Sequence, residues 1–179
     1  MVRIVKLERL NMSNRDQMEK PDFLSDEDWA MLKDQTSSLE RIRGDAKADV
    51  ENYLANPEGL STGAGPSGLP TLLLTCIGRK SGKKRTTPLV FLQNGEEMVI
   101  VGSLAGYDTH PAWVFNLRAN PECSVQLDAN QMTAVAHAAT DEEREALWPD
   151  LTALFPPWGF FQKQTDRPFA IVILSPTGA

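Results

Sequence analysis

A chain of 179 residues with 41 % hydrophobic and 23 % charged residues has the length of one ordinary domain with an appendage, which excludes two full domains, wholesale disorder and a fibrous repeat. Its formal net charge of -6, from Lys+Arg 18 against Asp+Glu 24, opposes a long polyanion over most of the surface. No stretch reaches the roughly 18 uninterrupted apolar residues of a membrane span, and the N-terminus lacks the zones of a signal peptide, so a cytoplasmic protein is expected.

Cys76 and Cys123 each sit in an apolar stretch without a second cysteine at ligand spacing, and His110 and His137 are far apart in the chain. Neither a disulfide framework nor a metal site is expected.

The first sixty residues read as a helical extension. Ser25-Asp-Glu-Asp28 offers an N-cap and an acidic first turn for a helix through Trp29, Met31 and Leu32, and a second helix runs from about Leu39 to Leu54, stopped by Asn56-Pro57. Residues 61–70, rich in Gly and Pro, form a linker, and the main domain, 61–179, begins there. Its first strand is Thr71–Ile77, followed by a basic turn and a second strand from Thr87 to Gln93. Asn94-Gly95 predicts a two-residue hairpin into Glu97–Ser103. His110–Arg118 reads as a short helix with Pro111 in its first turn. Glu122–Leu127 and Met132–Ala139 form a strand pair around the turn Asp128–Gln131. Thr140-Asp-Glu-Glu143 is a capping box for a helix to about Phe155, stopped by Pro156-Pro157, and Phe169–Leu174 is a final buried strand. Six strands at short spacing, mostly hairpin-connected, predict a mainly β, α+β chain built on a closed antiparallel barrel.

Charge is distributed unevenly. Residues 1–60 balance at -4 and residues 86–179 at -7, whereas Arg79-Lys80-Ser81-Gly82-Lys83-Lys84-Arg85 holds five cations and no acid. A Gly-flanked basic turn between strands presents N–H groups and cations together, which suits phosphate or carboxylate. Position 77 is Ile where a Walker A loop needs Gly, and no Gly-x-Gly-x-x-Gly opens a helix, so neither a P-loop nor a doubly wound dinucleotide domain is expected. Five clustered cations in a chain of pI about 5.0 suit a small anionic ligand better than nucleic acid.

Two further segments carry chemistry: Val101–Leu117, joining a strand end to a helix through small residues, and Phe155–Arg167, an aromatic cluster broken by Pro and Gly. From Glu51 to Leu174 the chain resembles the deazaflavin-dependent nitroreductase family of actinobacterial split-barrel flavoproteins. The resemblance rests on Pro70-Thr-Leu-Leu-Leu-Thr, Gly78-Arg-Lys-Ser-Gly82 with Arg85 and Thr87-Pro-Leu89, His110-Pro-Ala-Trp113 with Asn116-Leu117, and Gln162 through Thr165-Asp-Arg167, in order and at consistent spacing.

That resemblance implies a split β-barrel that binds coenzyme F420, whose tail carries a phospholactyl group and several glutamates. Lys80 and Arg85 match the tail-binding positions, with Ser81, Gly82, Thr87 and Pro88 shaping the loop. Ser103, Leu104, Ala105 and Gly106 correspond to the turn near the deazaflavin ring, and Trp113 and Asn116 to the helix beside it. Many members have Lys where this chain has Leu104. Tyrosines of the nitroreductase branch are replaced here by Phe155, Trp158 and Phe161, a substrate pocket that keeps stacking and loses hydroxyls. The implied activity is hydride transfer from the reduced coenzyme to an electron-poor lipophilic acceptor such as a quinone, enone or nitro compound. The alternatives are an FMN-binding split-barrel reductase, whose shorter anion needs fewer cations, and a non-catalytic carrier of F420 or another anion. No catalytic side chain is singled out. A homodimer is one expected assembly.

In the N-terminal segment Val2, Ile4, Val5, Leu7 and Leu10 interleave with Arg3, Lys6 and Arg9. This suits a packing arm against the barrel or a second subunit better than peripheral membrane contact, because the residues that follow are net acidic.

Overall fold

The computed structural model describes residues 18–177, so the Val2–Leu10 arm lies outside the described residues. The described chain begins with two helices. Ser25 caps α1 (Asp26–Gln35) by accepting the Asp28 N–H at 3.0 Å, and Ser38 caps α2 (Leu39–Ala55) by accepting the Arg41 N–H at 3.0 Å. Each hydroxyl satisfies one orphan donor of a first turn, as the Ser-led patterns require.

Six strands follow: β1 (Thr71–Ile77), β2 (Lys84–Asn94), β3 (Glu97–Gly102), β4 (Glu122–Leu127), β5 (Asn130–Ala138) and β6 (Ala170–Pro176). They close in the order β1-β2-β3-β6-β5-β4 with every pair antiparallel, so the expected barrel is the observed one. Between β3 and β4 lies α3 (Ala112–Ala119). Between β5 and β6 lie α4 (Asp141–Leu154) and α5 (Pro157–Gln162). Thr140 and Glu143 form the predicted capping box.

Several boundaries differ from the sequence expectation, each for a local reason. Strand β2 starts at Lys84 rather than Thr87, because pairing with β1 continues through Cys76↔Arg85 and Ile77↔Lys84. The hairpin turn is Gly95-Glu96 rather than Asn94-Gly95. Asn94 stays paired with Glu97, and of the two turn residues Gly95 alone takes a positive φ, 62°, as in turns with Gly at the first central position. The β4–β5 turn is Asp128-Ala129 rather than four residues, since Asp128 adopts φ 53° and Leu127 pairs with Asn130. Helix α3 starts at Ala112 with Pro111 as its N-cap. Pro157 does not merely end α4: it opens α5, where its missing N–H costs nothing.

Two apolar layers hold the fold. The barrel interior contains Leu72, Leu74, Phe91, Met98, Ile100, Val125, Ala136 and Val172, and α3 stoppers it with Trp113, Val114 and Leu117. A second layer lies outside the barrel, where Val99, Val101, Ile171 and Ile173 meet Leu147 and Leu151 of α4 and Trp158 and Phe161 of α5. Strands β3 and β6 are covered on both faces, which explains their unbroken apolar sequences, whereas β5 alternates buried and exposed residues over part of its length.

Candidate functional site

The basic turn spans Gly78–Lys83 between β1 and β2. Gly78 donates to Lys83 O at 2.8 Å, Gly82 donates to Gly78 O at 2.8 Å, and Ser81 Oγ accepts the Lys83 N–H at 3.3 Å. Gly82 sits at φ 64°, where a side chain would be strained. Arg79, Lys80, Lys83, Lys84 and Arg85 are all exposed. None of the five has a carboxylate within 4.0 Å among the described residues, where every ion pair involves the N-terminal helices or His137–Glu143. Thr87 and Pro88 continue β2 opposite Leu74 and Leu73.

Helix α3 fixes this turn from behind. Asn116, buried at 7 % exposure, accepts the Arg79 backbone N–H on Oδ1 at 3.1 Å and directs Nδ2 at Cys76 Sγ, 3.6 Å away. Its amide is thus engaged inside the protein. Trp113, one turn earlier, is buried in the barrel interior. The Arg79 guanidinium lies over the Phe115 ring at 5.1 Å, and Phe115 meets His110 edge-on at 5.8 Å.

The second group of expected residues follows β3. Leu104, Ala105 and Gly106 take φ of 44°, 49° and 76°, three consecutive left-handed residues. The two without glycine's freedom each cost about 1–3 kcal/mol. This turn bonds to itself through Gly106 N–H to Ser103 O and Tyr107 N–H to Leu104 O, and a Cβ on Gly106 would come within 3.1 Å of Phe161 O. The turn therefore rests directly on α5.

Arg167, for which the sequence reading has no role, binds the turn from the other side. It donates from Nε to Tyr107 O at 2.9 Å, from Nη1 to Gly102 O at 3.1 Å and from Nη2 to Ser103 O at 2.6 Å. Its Nη1 also meets His110 Nδ1 at 3.0 Å. Because arginine only donates, His110 accepts there and carries its proton on Nε2. Burial, then the charges of Arg167 and Arg118, hold the His110 imidazole below its ordinary pKa. A chain of contacts, Arg79–Phe115–His110–Arg167–Ser103, thus joins the basic turn to the left-handed turn.

A family model described as F420H(2)-dependent quinone reductase matches residues 47–176. The chain belongs to this family. Among curated relatives, the F420H(2)-dependent quinone reductase Rv1261c of Mycobacterium tuberculosis is 30 % identical over 113 residues, 62 % of this chain and 76 % of that one. Protein Rv3178 of the same organism, named as a candidate for the same activity, is 32 % identical over 60 % of this chain and 91 % of its own. Among solved structures, an F420-H2 dependent reductase (FDR-A) is 36 % identical with a TM-score of 0.55, covering 59 % of this chain and 94 % of that one. A domain-swapped dimer is 32 % identical with a TM-score of 0.56, covering 72 % and 99 %. The match supports the expected dependence on F420 and names quinone reductases where the sequence resemblance names nitroreductases.

Membership in the F420H(2)-dependent quinone reductases makes F420 the coenzyme to test against the geometry. The donor set fits a polyanionic tail, since five exposed cations have no carboxylate partner among the described residues. The aromatic residues are arranged differently from open pocket walls. Trp158 and Phe161 are 5 % and 3 % exposed in the outer apolar layer, Phe155 is half-buried, and Phe155 meets Trp158 edge-on at 5.3 Å. Trp29 of α1 closes over neighbouring Phe160 at 5.6 Å. A cleft of about 400 Å³ opens elsewhere, between α3 and the β5–β6 side, lined in part by His110, Val114, Arg118, His137 and Arg144, and none of the expected site residues lines it.

Thiol chemistry finds no support. Burial pushes the Cys76 thiol up, and burial with the neighbouring Cys76 pushes Cys123 up to about 11, so neither is a thiolate at neutral pH. Among the described residues no three His, Cys, Asp or Glu side chains gather to hold a metal.

Proposed function

We propose that this chain is an F420H2-dependent reductase that passes hydride to a quinone or conjugated enone, with nitro compounds as slower acceptors. The observation that carries the reading is the cluster of cations at 79–85 without a carboxylate partner among the described residues, in a chain whose family is defined by a coenzyme with a polyanionic tail. When bound, the reduced deazaflavin supplies the hydride from its C5 carbon. Lys80 and Arg85 hold the tail, and Ser81, Gly82, Thr87 and Pro88 shape its cradle. The turn Ser103–Gly106 and the helix carrying Trp113 and Asn116 border the ring, with Phe155, Trp158 and Phe161 as the apolar wall behind it. The proton that completes acceptor reduction comes from solvent, because Asn116 is engaged with Arg79 and Cys76 and no tyrosine stands in α5.

FMN, with a single phosphate, leaves most of the cations unanswered and binds more weakly. The protein works in the cytoplasm, and the domain-swapped relative makes a second copy of the chain the first partner to test. No helix among the described residues is long and apolar enough to cross a membrane.

Fluorescence titration of the full chain with F420 and with FMN, followed by the Lys80→Ala/Arg85→Ala variant, tests the binding. Each lost charge-assisted bond costs about 1.5–3 kcal/mol, so the double variant should bind F420 at least about tenfold more weakly. Unchanged affinity would remove the basic turn from the site. Oxidation of the reduced coenzyme by a soluble naphthoquinone separates a reductase from a carrier, which would bind without turnover.

A further inference from the structure

Arg167 is half-buried, and its guanidinium carbon stands 5.0 Å from the Phe169 ring with no carboxylate within 4.0 Å among the described residues. Its hydrogen bonds go to three backbone oxygens and one imidazole nitrogen. Two of those oxygens, on Gly102 and Ser103, lie where the chain enters the left-handed turn, and the third, on Tyr107, lies where it leaves. A planar fork bonded at both ends fixes their separation. The bonds from Gly106 N–H to Ser103 O and from Tyr107 N–H to Leu104 O close residues 103–107. Burial lowers the Arg167 pKa from its ordinary value, yet the group stays a cation at any pH the protein meets.

We propose that Arg167 is the positioning residue of the candidate site, clamping Leu104-Ala105-Gly106 in the left-handed conformation that this turn presents to the coenzyme ring. Assignment of the ring to this turn rests on the function proposed above; the clamp itself does not. The clamp also has an electrical consequence. The Gly102 and Ser103 carbonyls belong to the peptide units whose other ends are the N–H groups of Ser103 and Leu104. A charge-assisted bond on each oxygen polarises the N–H at the far end of the same unit. A ligand oxygen within reach of the Ser103 or Leu104 N–H would meet a strengthened donor. Through His110 and Phe115 the same guanidinium is linked to Arg79, so the supports for ring and tail share one framework. Lysine cannot substitute, because an ammonium is a point charge without the fork.

The test uses the full chain with Arg167→Lys and Arg167→Met. Without coenzyme, amide hydrogen exchange at Gly106 and Tyr107 reads the turn directly. Protection there should fall about tenfold or more in both variants while β1–β5 amides change only slightly. Unchanged protection at Gly106 and Tyr107, or loss in parallel with the whole barrel, would overturn the clamp. With coenzyme and a soluble naphthoquinone, kcat should fall about tenfold or more while the coenzyme KM moves less than about threefold, since the basic turn still holds the tail. A raised KM with kcat preserved would show that Arg167 serves affinity instead. If the wild-type chain neither binds nor oxidises the coenzyme, the functional reading fails while the exchange result still decides the clamp.

Discussion

The Tyr53 hydroxyl accepts the Asp128 backbone N–H at 2.9 Å, placing a side chain of α2 against the turn that joins β4 to β5. The same oxygen lies 3.2 Å from Thr71 O and 3.3 Å from Gln126 O, to which it offers its single proton. Asp128 in turn accepts the Ser61 N–H and hydroxyl at 2.8 Å each. With Tyr53 only 3 % exposed, Tyr53→Phe leaves the part-buried Asp128 N–H without its partner. The expected loss is about 1–3 kcal/mol, read as a lower urea midpoint at unchanged slope. Coenzyme affinity should not change, because the residue is remote from the basic turn in sequence and contact.

Asn116→Leu keeps the branched outline of the side chain at a larger volume and removes the acceptor for Arg79 N–H. All five cations remain, so the salt dependence of coenzyme binding should keep its slope. The affinity should nevertheless fall, by about 1–2 kcal/mol, because the turn loses its anchor. Titrations at two ionic strengths check both halves. Wild-type affinity in this variant would mean that the turn holds its own shape.

His110 makes stability depend on pH with a definite sign. Its folded pKa lies below the ordinary 6.5 because burial, then Arg167, then Arg118, oppose the charged form. Below about 6.5 the unfolded chain takes a proton that the folded chain refuses. Stability from this group is therefore complete above that pH, declines as pH falls toward the folded value, and is level below it. Urea unfolding of wild type and His110→Gln between pH 5 and pH 8, a range spanning about one unit or more either side of an ordinary histidine, should show a steeper decline for wild type on the acid side. Parallel curves would exclude His110 as the source.

Phe155 and the α5 aromatics Trp158 and Phe161, proposed above as the wall behind the ring, would set the order of acceptors. Phe155, Trp158 and Phe161 offer no hydroxyl to a nitro group, and lost general acid help is worth about 10²- to 10⁴-fold. Steady-state oxidation of the reduced coenzyme by a nitroimidazole should be slow beside a naphthoquinone. Comparable rates would show that solvent supplies the proton equally well to both.

The barrel was legible because strand patterns, turn residues and the apolar runs of β3 and β6 agree on one architecture. The basic turn was legible because charge clusters in sequence as well as in space. Helix α5 was hidden by Pro156-Pro157, which reads as a stop, although Phe155, Trp158 and Phe161 recur every third residue, near one face of a helix. Arg167 could not be read from the chain. Its partners are the carbonyls of Gly102, Ser103 and Tyr107, about sixty residues away, and a carbonyl is the same atom pair in every residue. Only its place in the Thr165-Asp-Arg167 marker hinted that it mattered. Asn116 shows the same limit: the residue was singled out, but its use of a backbone N–H across 37 positions was not.

Closure of the barrel makes the last strand its keystone. β6 lies between β3 and β5, pairing Met98 with Leu174 on one side and Ala136 with Leu174 on the other. During synthesis both neighbours are complete before β6 exists, and each then has a free hydrogen-bonding edge. A nascent or truncated chain that ends before Ala170 is an open five-stranded sheet with apolar β3 at one border. Such edges recruit strands from other chains, so premature termination here should yield aggregates and chaperone clients instead of a smaller folded protein.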